Sequence, residues 1–181
     1  LGRAVSKFIP AEDLIVPYTA TSLDDAEAII HSLKVSENDL RKQQVNGFYS
    51  DVELGPPGVD NNDELTKKER ELSGSKKSGR QEPVYTVLEC HVNLDLEGFE
   101  DIDGENQPTG IKLPYIVTVE EGSRKVLSIR RNYAPDDLKK NKIQYFVHFK
   151  FLPGLGFYGF GLIHMIGGLS RTATAALRQL L

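Results

Sequence analysis

The spacing of apolar residues between 84 and 151 constrains the fold of this chain most strongly. Apolar and polar residues alternate in 84–94, 113–120, 124–132 and 142–151. Such a period of two is the pattern of a strand with one buried face. The three residues between the second and third runs, Glu-Gly-Ser, are typical of a hairpin turn. We therefore expect four strands that form a small antiparallel sheet.

Two of these runs also indicate which side chains share a face. In 84–94 one face is mostly apolar and consists of Val84, Leu88, Cys90, Val92 and Leu94. The other face of that run carries Glu89, His91 and Asn93. In 142–151 the apolar face consists of Ile143, Tyr145, Val147, Phe149 and Phe151. Each pattern favours burial of one face against a core.

The sequence before these runs predicts smaller elements. Pro10 and Pro17 interrupt 7–18, which we expect to form extended edge segments. Two hydroxyl residues precede two acids within 21–25, a pattern that favours the start of a short helix. Alternation in 29–35 predicts a strand. Ser36, with an acid three residues later, predicts a capped helix over 37–46.

The end of the chain has a helical period. Apolar residues recur at spacings of three and four from about 160 to 181, namely Leu162, Ile166, Leu169, Ala173, Leu177 and Leu180. Gly167 and Gly168 each weaken that helix by about 1 kcal/mol relative to alanine. The chain as a whole is therefore predicted to be α+β, an antiparallel sheet with short capped helices and a long C-terminal helix.

A polar stretch divides the chain. Residues 54–83 contain few large apolar side chains, too few to offset the entropy lost on folding, and we expect a mobile linker. The expected organisation is an α+β segment 1–53, this linker, a β-rich region 84–152, and an elbow with a helix over 153–181.

Four glycines lie between the last predicted strand and the helix. Gly154, Gly156 and Gly159 have the G-x-G-x-x-G spacing of dinucleotide-binding loops, and Gly161 follows them. That motif needs a second strand after the helix, and none follows here. The four glycines are therefore interpreted as a structural elbow.

Composition and motifs favour no catalytic, cofactor or metal site. Cys90 and His91 are adjacent on a predicted strand, so their side chains point to opposite faces. Asp101-x-Asp103 lacks the distal glutamate of a calcium loop. His31, His148 and His164 stand without a nucleophile at a recognisable spacing. A net charge of −4 argues against tight binding to nucleic acid.

An uncharged stretch of 19 residues, 151–169, raises the alternative of a membrane-active or peptide-binding module. Six glycines, one proline and the arginines that follow make a membrane span improbable. An oligomer interface explains an apolar stretch of this composition better.

Two segments resemble the portal proteins of short-tailed bacteriophages. FIPAEDLIVPYTATSLDDAEAIIHSLKVSENDLRK is similar to the wing region of that family, and IQYFVHFKFLPGLGFYGFGLIHMIGGLSRTATAALRQLL to its strand, elbow and long helix. The resemblance covers most of the chain outside 54–83. Both ends look cut within elements, so we expect a longer polypeptide.

The resemblance implies a homo-oligomeric ring, a dodecamer in that family, at one capsid vertex of the virion, assembled in the bacterial host. Its partners would be the terminase packaging motor, tail or adaptor proteins, the capsid protein and, transiently, double-stranded DNA. It implies no enzyme activity, cofactor or membrane. Arg171 and Arg178, about two helical turns apart on nearly one face, would contact passing DNA or acids of the neighbouring subunit.

Overall fold

A computed structural model of the protein describes residues 5–59, 83–105, 107–154 and 156–180. These residues form strands β1 (Leu14–Ile15), β2 (Ala28–Ser36), β3 (Gly58–Val59), β4 (Pro83–Leu94), β5 (Leu113–Glu120) and β6 (Val126–Arg131). Their helices are α1 (Glu37–Val45) and α2 (Leu162–Leu180), and a short 3-10 turn spans Ala11–Asp13. The predicted α+β class is confirmed.

The strands form one antiparallel sheet in the order β1-β2-β4-β5-β6, and β3 pairs beside this path with β4. Ile29 on β2 lies opposite His91 on β4, which lies opposite Ile116 on β5. The hairpin turn between β5 and β6 is as expected, and the Glu120 carboxylate closes it by accepting the N–H groups of Gly122 and Ser123.

One face of the sheet carries the core. Helix α1 covers one end of this face, where Leu40 packs with Val87 and Leu127. At the other end Ile29 packs with Phe157, which comes from the elbow before α2. The covered face therefore includes the odd-numbered residues of β4.

This packing corrects the expectation for β4. The pattern placed Glu89 and His91 on its polar face, yet Tyr85, Val87 and His91 are the most buried residues of the strand. The even-numbered residues are half-buried. Both faces of β4 are apolar enough to pack, and the position of α1 and the elbow decides between them.

The predicted strand 142–151 is wrong. This segment crosses the covered face without joining the sheet, and Phe146, on the side opposite the predicted apolar face, points inward. The alternation of side chains was read as a strand, but a strand also needs backbone pairing with a neighbour, which this segment lacks in the described chain. The segment lies over the face of the sheet instead of beside β6.

The short helix expected at 21–25 is also absent, and these residues form bends. The Asp25 carboxylate accepts hydrogen bonds from the backbone N–H groups of Thr21 and Ser22 and from the Thr21 hydroxyl. The Thr21 hydroxyl bond, with the backbone bonds, holds the pKa of Asp25 well below its usual range. The Ser22 hydroxyl in turn accepts the N–H of Asp25, so the reciprocal bonds of a helix cap are present. No helical turn follows this cap, because the chain enters β2 at Ala28.

Other expectations are confirmed. The helix predicted over 37–46 is α1, and the Ser36 hydroxyl caps it by accepting the N–H of Asp39. The helix predicted over 160–181 is α2. Of the predicted linker 54–83, Gly58 and Val59 pair with β4 as β3, while 60–82 lie outside the described residues.

Candidate assembly surface

The segment that follows β6 leaves a row of large apolar side chains in solvent. We call this the exposed row: Tyr145, Val147, Phe149 and Phe151, with exposed fractions of 61, 95, 90 and 63%. Exposure alternates along the segment, because Phe146, His148 and Lys150 between them are half-buried. The row therefore faces away from the sheet on extended chain.

The inward side chains attach the segment to the sheet. The Phe146 ring lies edge-on to His91 at 4.8 Å and to His31 at 6.3 Å between centroids. His148 stacks on Phe157 at 4.1 Å. The Lys150 ammonium donates to the carbonyl oxygens of Thr21, at 2.9 Å, and Gly156, at 3.2 Å. These contacts fix which residues the segment exposes.

The elbow returns the chain to this segment. Leu152 and Phe160 form an antiparallel bridge through two backbone hydrogen bonds. A side chain at Gly159, which has φ +67°, would place its Cβ 2.8 Å from the Leu152 oxygen, and one at Gly154 would lie 2.6 Å from the Phe160 ring. Gly156 also has positive φ, whereas a Cβ at Gly161 would make only an ordinary contact, 3.8 Å from His164 Nδ1. Three of the four predicted elbow glycines are thus required by the backbone or by close contacts.

Helix α2 exposes its apolar side as well. Leu162, Ile163, Ile166, Leu169 and Leu177 are between 47 and 75% exposed. At about 100° per residue, Leu162, Ile166, Leu169 and Leu177 lie on one side of the helix. Arg171 and Arg178 are exposed on the opposite side of the helix. The helix is therefore amphipathic, and neither of its sides is covered by the described part of the chain.

A polar cluster lies inside the covered face, between α1 and the elbow. The buried His91 ring, 4% exposed, donates from Nε2 to Glu89 Oε1 at 3.0 Å, and an Arg130 nitrogen lies 3.9 Å from Glu89 Oε2. The His91 hydrogen bond lowers the pKa of Glu89 despite its burial. Because Phe146 and the sheet enclose the imidazole, this cluster anchors the segment to the sheet.

Burial lowers the pKa of both His31 and His148, so the neutral imidazoles favour the folded state. Their stabilising contribution is complete above the unfolded pKa of about 6.5 and is lost as the pH falls through the lower folded values. We expect the thermal midpoint to fall between pH 7 and 5, before Glu89 titrates, and the loss to be smaller in His148→Phe. Thermal melts at several pH values measure this, and equal slopes for both proteins would contradict it.

The two acids considered for a calcium loop, Asp101 and Asp103, form hydrogen bonds with neighbouring groups of the same chain. The Asp103 carboxylate accepts the N–H groups of Glu105 and Gln107, and Asp101 accepts from Thr109 and pairs with Lys140. Within the described residues no group of three His, Cys, Asp or Glu side chains is arranged to hold a metal ion. Cys90 and His91 do point to opposite faces of β4, as expected.

Comparison with protein-family models, curated proteins and solved structures finds no match for this chain. Neither described helix is sufficiently long and apolar to span a membrane. The candidate assembly surface is therefore inferred only from the exposure and contacts of the residues described above.

The distribution of charged residues along the sequence is a further signal of this surface, and the predictions above did not use it. All 26 acidic residues precede position 138, whereas six of the 22 Lys and Arg residues follow it. The first 137 residues thus carry a formal charge of −10 and the last 44 carry +6, which sum to the net −4. The exposed row and α2 both lie in the acid-free part.

Proposed function

We propose that this chain is a structural subunit of a phage portal ring, which forms the DNA channel at the capsid vertex and docks the packaging motor and tail. The observation that carries the proposal is the uncovered apolar surface made by the exposed row and α2. A surface of this kind belongs to a protein that works in an assembly.

An apolar surface of this extent is unfavourable in water unless a partner covers it. Burying one large apolar side chain contributes about 1.5–3 kcal/mol, and the row and the helix, which also exposes Met165, leave ten of them in solvent. Apolar patches beyond a few hundred Å² mark partner sites on soluble proteins. Contact between two different surfaces of identical subunits generates a ring when the rotation closes.

The resemblance supplies the kind of ring. The resemblance is strongest over GFYGFGLIHMIGGL, residues 156–169, and the wider similar segment from Ile143 through α2 carries the uncovered surface. In this proposal the protein acts without catalysis or a cofactor. It resides in the virion and contacts the terminase, tail or adaptor proteins and the capsid protein.

A membrane-active or peptide-binding module is the second candidate, favoured by the acid-free, basic and apolar end of the chain. Basic amphipathic helices bind anionic lipid surfaces. Flotation with anionic vesicles separates the candidates, because a portal subunit should remain with the unbound protein.

The ring itself is tested with the protein as its gene encodes it. We expect closed rings in electron micrographs and a ring-sized mass in sedimentation, and protein that stays monomeric at high concentration would contradict the portal assignment. Arg171→Glu with Arg178→Glu then separates two roles of these exposed arginines. Intact rings with impaired DNA packaging indicate contact with phosphates, whereas loss of rings indicates pairing with acids of the neighbouring subunit.

A further inference from the structure

The backbone between residues 144 and 151 belongs to no strand or helix and is unpaired. The Ile143 N–H donates to the Asn132 oxygen, and Leu152 pairs with Phe160. Between these two points no backbone group bonds to another backbone group of the described chain. The side chains nevertheless alternate between inward and outward as they do in a strand. The segment thus has the side-chain alternation of a strand, and in the described chain it pairs with neither edge of its own sheet.

We propose that 145–151 adds as an edge strand to β1 of a second copy of this chain. This inference rests on the proposed ring and names two of the surfaces that would meet in it. Strand addition supplies backbone hydrogen bonds to the unpaired groups and covers part of the exposed row. The donating and receiving surfaces differ, as a head-to-tail contact requires.

Charge favours a second copy as the partner. The acid-free end of one copy, at +6, would meet the part of another copy that carries −10. Opposite potentials steer association and favour one orientation over others. Pairing of 145–151 with the same segment of another copy would instead bring two basic ends together.

The charges on edge strands β1 and β6 also indicate which of them receives the added strand. The edge strand β6 carries Arg130 and Arg131, which would oppose a basic partner. The edge strand β1 follows Glu12 and Asp13, and its Ile15 is 49% exposed. An apolar, acid-free strand therefore fits β1 better, and its addition displaces the Tyr158 hydroxyl from the Leu14 oxygen of β1.

Val147→Pro tests the backbone pairing. The Val147 side chain is 95% exposed and its N–H has no backbone partner in the described chain, so the variant should melt within about 2 °C of the wild type. Proline removes one ladder hydrogen bond and obstructs strand pairing, so association should weaken at least tenfold in sedimentation. Val147→Thr, which keeps the N–H and the branched shape, should assemble like the wild type. Equal assembly by both variants would overturn the inference.

Cysteine cross-linking tests the receiving edge. In a Cys90→Ser background, cysteine at Ile15 is combined in turn with cysteine at Tyr145, Val147 or Phe149, which share one face. At least one combination should give intermolecular disulfides, since paired strands bring Cα atoms within about 7 Å. A disulfide dimer from the Val147→Cys variant without the cysteine at 15 would indicate symmetric pairing and overturn the assignment to β1. Assembled protein without any of these cross-links would also overturn it.

The outcomes distinguish this inference from the proposed function. If the wild-type protein forms rings and Val147→Pro forms them equally well, the strand pairing is wrong while the portal assignment stands. If the wild-type protein forms no oligomer, the portal assignment itself fails.

Discussion

Gly159→Val is expected to lower the free energy of unfolding by about 2–4 kcal/mol, because the left-handed backbone conformation and a short contact both exclude a branched side chain. Gly159 has φ +67°, and its added Cβ would lie 2.8 Å from the Leu152 oxygen. Relief of that contact would separate Leu152 from Phe160 and loosen Phe157 in the core. Urea denaturation measures the loss.

The control for this substitution is Gly161→Ala. The nearest atom to an added Cβ there is His164 Nδ1 at 3.8 Å, so the free energy of unfolding should change by less than about 0.5 kcal/mol. Equal stability of the Gly159 and Gly161 variants would contradict the structural role of the elbow. A Gly159→Val protein that assembled normally but lost a bound nucleotide would favour the dinucleotide-binding alternative.

Asn132→Asp is the second substitution with a large expected effect. The Asn132 side chain is fully buried, and neither atom of its amide has a hydrogen-bond partner within the described chain. A carboxylate in this position would be an unpaired buried charge, which should cost at least about 3 kcal/mol at pH 7. Because burial would raise the pKa of the new carboxyl, the unfolded state would release its proton first, and part of the lost stability should return as the pH falls toward 5.

Asn132→Leu is the matched control, since leucine has the same number of side-chain heavy atoms with the same branching at Cγ and removes both unpaired polar atoms. We expect it to leave stability unchanged or to raise it by about 1–2 kcal/mol. The backbone bonds of this residue, to the Pro114 oxygen and from the Ile143 N–H, remain in both variants. Denaturation at pH 7 and 5 measures both effects. An aspartate variant as stable as the wild type at pH 7 would show that the site admits water or a counter-charge.

Local sequence predicted an element correctly where the residues within that element were enough to specify it. The alternation in β4 and β5, the Ser36 cap of α1 and the three-and-four spacing of α2 each specify an element without reference to distant residues. The elbow also followed from its glycines, since a close backbone approach leaves no space for a side chain. The assembly surface was anticipated only as an uncharged stretch.

The period of two predicted a strand wrongly where the outcome depended on a partner strand elsewhere in the sheet. The segment 142–151 alternates as well as β4 does, yet backbone pairing requires a free strand edge, and the chain passes over the face of the sheet. Alternation reports an extended backbone and two unlike faces. It does not report which strand, if any, is the partner.

The sequence by itself determined the extended and helical stretches, the turns with special glycines and the uneven distribution of charge, because each depends on residues close together in the chain. Only the tertiary structure decided which face of β4 is buried, that Phe146 packs against His91 and that the exposed row faces solvent. Those outcomes depend on contacts between residues about 50 or more positions apart, and an alternating strand is physically able to bury either face until another element packs on one of them.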